Sequence, residues 1–71
     1  MTYIELEKQY FNDKFVRIYI DHITTIDDGI SENVRFTRIH MVCGSFVDVK
    51  EDFIEVLAKI DLKNKEDQPN N

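Results

Sequence analysis

Arg35, Arg38 and His40 fall within six positions of one another, inside the stretch VRFTRIHMVC at 34–43. A guanidinium is a planar fork that grips carboxylates or phosphates with two parallel hydrogen bonds, and a histidine beside it adds a titratable donor. Arg17 and Tyr19 repeat the theme in FVRIYI at 15–20. All three arginines and both histidines (His22 and His40) lie between residues 17 and 40, whereas all six lysines lie outside that span. An aromatic ring beside arginines can hold a base or a nucleotide. Arg17, Tyr19, Arg35, Arg38 and His40 are therefore a candidate set for a small anionic ligand. The same residues have a plainer use: arginines on the outer face of a strand pair with Glu5, Glu7 or Asp48 across a sheet.

Other chemistry is thinly represented. The neighbouring carboxylates Asp27–Asp28 and Glu51–Asp52 read as turn chemistry and as charge at a helix start. Neither pair sits in the apolar setting that would shift a carboxyl for acid–base work. Two glycines, Gly29 and Gly44, lie too far apart for a phosphate loop. No serine, cysteine or histidine pair forms a nucleophile motif. His22, His40 and Cys43 supply too few ligands for a metal. No catalytic residue, metal or cofactor is expected, and the chain does not read as an enzyme. The single cysteine, Cys43, cannot form an internal disulfide; in its apolar run it is expected to be a buried, inert thiol.

Seventy-one residues make one small domain, and the net charge of −5 opposes general binding to nucleic-acid backbones. There is no apolar run long enough to span a bilayer and no charged-then-apolar leader, so a soluble cytoplasmic protein is expected. In a chain this small, the apolar area available for burial barely offsets the cost of ordering the backbone. With neither disulfide nor metal, subunit association is the remaining extra source of stability.

The elements that must position these residues follow from the period of the apolar positions. In YIELEK, from Tyr3, Ile4 and Leu6 point one way while Glu5 and Glu7 point the other, which predicts a half-buried strand. Asn12–Lys14 supply a turn. Val16, Ile18 and Ile20 then alternate against Arg17 and Tyr19, which completes a hairpin. A bend and a short strand follow around Ile23 and Ile26. Asp27–Gly29 read as a turn, extended as a loop to about residue 33. Val34–Cys43 is the longest strand candidate. Val34 and Phe36 share one parity and Ile39, Met41 and Cys43 the other, so a bulge near Thr37 and Arg38 is expected. Arg17 and Tyr19 are placed beside Arg38 and His40 on an outer sheet face.

Gly44–Ser45 turn the chain into FVDV. From Lys50 the period becomes helical, through Phe53, Val56, Leu57 and Ile60. Asp48 and Glu51 have capping-box spacing, Glu55 and Lys59 form an i,i+4 pair, and Asn64 is placed to end the helix. Ile54 and Ala58 lie off the main stripe. They either sit deep against a sheet or touch a second subunit.

VRIYIDHITTI at 16–26, IHMVCGSFVDVKEDFIEVLAKI at 39–60 and YIEL at 3–6 together resemble the small flagellar-operon proteins of the FlbD type, which are swarming-motility accessory proteins. Small phage and mobile-element proteins look similar. The resemblance spans about residues 3 to 62, and Gly44, Val49-Lys50-Glu51 and the following helix are its most specific part. The chain departs from the family's pattern where Asp13 follows Asn12 in place of glycine, where Tyr19 stands for asparagine, and in the longer segment between Ile26 and Ile39. The resemblance implies a strand-rich sheet with one C-terminal helix, and it carries over no catalytic residues.

The expected fold is α+β: a small antiparallel sheet of four to five strands, with a barrel-like curl as the alternative to an open sheet, and one C-terminal amphipathic helix. Residues 1–63 form the compact domain and 64–71 a disordered tail. The expected role is a non-enzymatic cytoplasmic interaction or assembly protein, acting as a homo-oligomer through strand edges and the helix flank at Ile54 and Ala58. The alternative is binding or sequestering a small anion such as a nucleotide.

Overall fold

The computed structural model describes residues 2–67. Five strands precede one helix: β1 (Tyr3–Glu7), β2 (Phe15–Tyr19), β3 (Ile23–Ser31), β4 (Val34–Met41), β5 (Phe46–Val49) and α1 (Phe53–Asp67), with one 3-10 turn at Ile20–His22 between β2 and β3. The fold is α+β, as the periodicity implies. The strands do not form one sheet, however. β1 and β2 pair antiparallel, β3-β4-β5 form a second antiparallel sheet, and there is no closed barrel.

A single antiparallel bridge, Lys8 to Val49, joins the two sheets. It is flanked by hydrogen bonds from Gln9 N–H to Asp48 C=O (2.9 Å) and from Lys50 N–H to Glu7 C=O (2.8 Å). The physical reason it goes no further is Glu51. Its carboxylate accepts the Glu7 N–H at 3.1 and 3.2 Å, and so occupies the place where a neighbouring strand's carbonyl would sit. The same residue's carbonyl accepts the hydroxyl of the fully buried Thr37 at 2.7 Å. The junction between β5 and α1 is thereby latched to both sheets, and every polar atom in the latch has a partner.

The core lies between the sheets and the helix. Ile4, Leu6, Ile18, Ile39, Val49 and Val56 are buried, with Val16, Ile20, Ile23, Ile26, Met41, Val47 and Ile60 packed against them. The parity read for β1 and β2 holds, and the register Ile4–Ile18 and Leu6–Val16 stacks one apolar face.

β3 and β4 depart from expectation in three ways. Asp27–Gly29 are not a turn but the middle of a nine-residue strand. Gly29 pairs with Phe36, whose ring lies over the glycine. A Cβ on Gly29 would come within 2.5 Å of that ring, so this glycine answers to a close approach and not to a bend. The turn is Glu32–Asn33, both at positive φ (51° and 65°), as a two-residue type I′ hairpin requires. β4 carries no bulge, and the register shift lies in β3 between Ile23 and Thr25. Both apolar parities of β4 are accommodated because the strand buries residues on each face: Thr37 and Ile39 toward the core, Phe36 on the outer face against Gly29.

The helix also differs in detail. Asp52 accepts the Glu55 N–H at 2.8 Å and caps it, whereas Asp48 pairs with Arg38. Lys59 reaches Glu51 and the Glu5 carbonyl instead of Glu55. The helix passes Asn64 and continues to Asp67, so residues 64–67 are helical, and 68–71 lie outside the described residues. The molecule measures 47 × 23 × 21 Å, with a radius of gyration of 12.6 Å. A compact chain of this length would have about 11 Å.

Candidate functional site

The five residues expected to meet around one anion are distributed over three places. Arg17 and Tyr19 lie on the outer face of the two-stranded sheet. Arg17 stacks on Tyr3 at 4.2 Å and faces Glu5 at 3.7 Å, while Tyr19 meets Tyr3 edge-on. Tyr3 first, then Tyr19 and Glu5, raise the Arg17 pKa above its usual value. Arg35 lies near the β3–β4 tip, with Asp28 at 3.5 Å. Arg38 and His40 lie on the outer face of the three-stranded sheet. The expected neighbourhood of Arg17 and Tyr19 with Arg38 and His40 does not form. β1 and β5 intervene between β2 and β4, which separates the two pairs.

Arg38 is the most firmly held of the set. Its Nε and Nη2 donate to the two Asp48 oxygens at 2.8 and 3.1 Å, a bidentate pair with a nearly buried carboxylate. Its guanidinium also stacks on Phe46 at 4.3 Å. The hydrogen bond to Asp48 raises its pKa. A raised pKa on a cation means that its stabilising contribution is complete below the unfolded value and fades only above the folded one, so the Arg38 charge is constant at every ordinary pH. His40 Nε2 lies 2.9 Å from an Asp27 oxygen, and its ring tilts against Phe46. The cross-strand order Asp27–Arg38–Asp48 is the face-pairing pattern that the sequence offered as the plainer use.

Cys43 is exposed, not buried. β4 ends at Met41, and the chain turns through Val42–Gly44, with Gly44 N–H bonded to Met41 C=O at 2.9 Å and Gly44 at φ 94°. The thiol lies 2.9 Å from the Ser45 hydroxyl, and the contacts with Ser45 hold its pKa below the usual value. Among the described residues no three histidine, cysteine or carboxylate side chains converge as a metal set, and no helix is long and apolar enough to cross a membrane.

Two surfaces stand out. The first is the outward face of α1. The helix buries Val56 and partly buries Phe53 and Ile60, while Ile54 is 71 % exposed, Leu62 57 % and Leu57 39 %, and Ala58 is exposed beside them. Of the two positions for Ile54 and Ala58, deep or outward, they take the outward one. Leu57, expected in the core stripe, is at its margin. The second surface is a groove of about 260 Å³ between the β1–β2 loop and β5, lined by Lys8, Tyr10, Phe11, Phe46 and Asp48 among others. Tyr10, Phe11 and Phe46 are each more than half exposed, and the Lys8 ammonium lies 5.7 Å over Phe11. Lys8 has no carboxylate partner among the described residues. Sequence reasoning missed this groove. Its one signal was the aromatic pair Tyr10–Phe11 placed directly before the Asn12–Asp13 turn, where no strand parity requires it.

No protein-family model, no curated protein and no solved structure matches the chain. The flagellar-operon resemblance therefore rests on the residues quoted for it.

Proposed function

We propose that this is a non-enzymatic interaction protein that works as a homo-oligomer, with the outward face of α1 as its self-contact. The observation that carries the reading is Ile54, the most exposed large apolar side chain among the described residues, on a helix whose opposite face already fills the core. An amphipathic helix needs one apolar stripe to pack on its own domain; a second stripe facing solvent is the mark of an interface. The outer edges of β2 and β3, to which no other strand pairs among the described residues, are further docking positions. On β3, Asp27 and Asp28 guard the edge against indiscriminate pairing. The reading includes the cytoplasm, where an exposed unpaired thiol stays reduced.

Native mass spectrometry or sedimentation equilibrium tests it. The wild type is expected to be an oligomer, and Ile54→Glu a folded monomer. A wild type that is monomeric at all concentrations, or an Ile54→Glu variant of unchanged mass, removes the reading.

A second reading, a binder of a small planar anion such as a nucleotide, is favoured by the groove at Tyr10, Phe11 and Phe46. Rings for stacking stand there beside the uncommitted charge of Lys8. In this reading the site is the groove and not the arginine set, because Arg38 is engaged by Asp48 and Arg17 lies on another sheet. Titration with nucleoside mono- and diphosphates, observed by NMR, is expected to move the Tyr10 and Phe46 ring signals. Binding that survives Phe46→Ala would place any ligand elsewhere.

A further inference from the structure

We infer that α1 docks on α1 of a second copy of this chain, antiparallel, with Ala58 on the two-fold axis. The inference rests on the homo-oligomer reading and specifies its geometry.

Ile54, Ala58 and Leu62 stand four residues apart and form one ridge on the outward side of the helix. The ridge is large, small, large. A two-fold axis through Ala58 sets Ile54 of one copy beside Leu62 of the other, twice over, while the two alanines let the backbones approach. The surface is thus its own complement, as an isologous contact requires.

Charge chooses between the two directions. Asp52 and Glu55 precede Ala58, whereas Lys63 and Lys65 follow it, among Asp61, Glu66 and Asp67; Glu51 and Lys59 are already tied to each other. An antiparallel pair lays the acidic start of each helix along the lysine-bearing end of the other, and it also opposes the helix dipoles. A parallel pair would superpose the two acidic starts, whereas the later stretch is of mixed sign.

A groove of about 350 Å³ lies beside Ile54, lined by Asp28, Arg35, Asp52, Phe53 and Ile54. In the antiparallel arrangement it lies under the second copy's Leu62 and Lys65. Its formal charge is −1 (Asp28 and Asp52 against Arg35), which suits a lysine. Lys65 is available: its pairing with Asp61, an exposed i,i+4 contact at 3.3 Å, is weak enough to be exchanged.

Cysteine crosslinking in a Cys43→Ser background tests the geometry. Under mild oxidation Ala58→Cys is expected to give a disulfide-linked dimer. Ile54→Cys and Leu62→Cys are each expected to stay monomeric in a denaturing gel, yet to link when mixed. Self-linkage of Ile54→Cys would show a parallel pair and overturn the inference. So would an oligomer that Ile54→Glu dissociates but Ala58→Cys fails to link, which would leave the oligomer reading standing. A wild type found monomeric by native mass removes both. Lys65→Glu is expected to weaken dimerisation roughly threefold to tenfold, with Asp28→Lys restoring much of the loss; an unchanged dissociation constant in Lys65→Glu would reject the antiparallel charge pairing.

Discussion

Gly29 and Phe36 face each other across β3 and β4, and the ring occupies the space of the missing side chain. Gly29→Ala forces either the ring or the strand to shift, and overpacking of this kind costs about 2 kcal/mol. A lowered urea midpoint at unchanged slope is the expected result. In a Phe36→Leu background the same substitution is expected to cost less, because the opposing group is smaller. Cys43 gives a second test at this scale. A thiol with a depressed folded pKa stabilises the fold above its unfolded value and loses that contribution as pH falls through the folded one, so its thiolate appears early on an alkaline titration. Alkylation of Cys43 is expected to rise at lower pH than for a free thiol, and Ser45→Ala is expected to move the profile upward; an unmoved profile would remove Ser45 as the cause. The types and grouping of the arginines were legible in the sequence. Glu5 and Asp48 stood among the partners it offered, but which carboxylate faces which arginine depends on the strand register that each turn sets.

The hairpin tip uses Glu32 and Asn33 where type I′ turns favour asparagine followed by glycine, since both positions require positive φ. Glu32→Asn is expected to stabilise the protein by roughly 0.5 kcal/mol, measured as a raised urea midpoint; a lowered midpoint would mean that the Glu32 side chain contributes something its backbone strain conceals. The turn also explains why this region was misread. Asp27-Asp28-Gly29 has turn composition, but glycine was selected by a ring. The real turn lacks the glycine that would advertise it. Strand parity in β1 and β2 and the helical period from Phe53 were legible because burial on one face leaves a regular trace. The helix cap was read one turn of chain too early, at Asp48 and not Asp52, because both acids have a glutamate three residues on. Spacing alone does not say which acid the Arg38 guanidinium will claim.

At the scale of the whole molecule, one side chain decides that there are two sheets. The Glu51 carboxylate satisfies the Glu7 N–H, and its backbone carbonyl receives Thr37, so the β5–α1 junction, β1 and β4 are tied at one point. Glu51→Ala strips the Glu7 amide of its partner and is expected to cost about 1–3 kcal/mol, with faster hydrogen exchange at Glu7 than elsewhere in β1. Equal exchange in variant and wild type would show that the latch is not what holds this edge. No sequence rule reaches such a contact, which spans 44 positions between a side chain and an amide.

The outline of the protein bears on how its assembly is to be weighed. A body of 47 × 23 × 21 Å is about twice as long as it is wide. Such a particle meets more drag than a sphere of the same mass, and a gel-filtration column sorts by drag. The single chain should therefore elute ahead of compact standards of its own mass, imitating a larger species with no partner bound. Elution volume calibrated against spheres would credit this protein with association whether or not it associates, so its stoichiometry has to be read from mass and not from mobility.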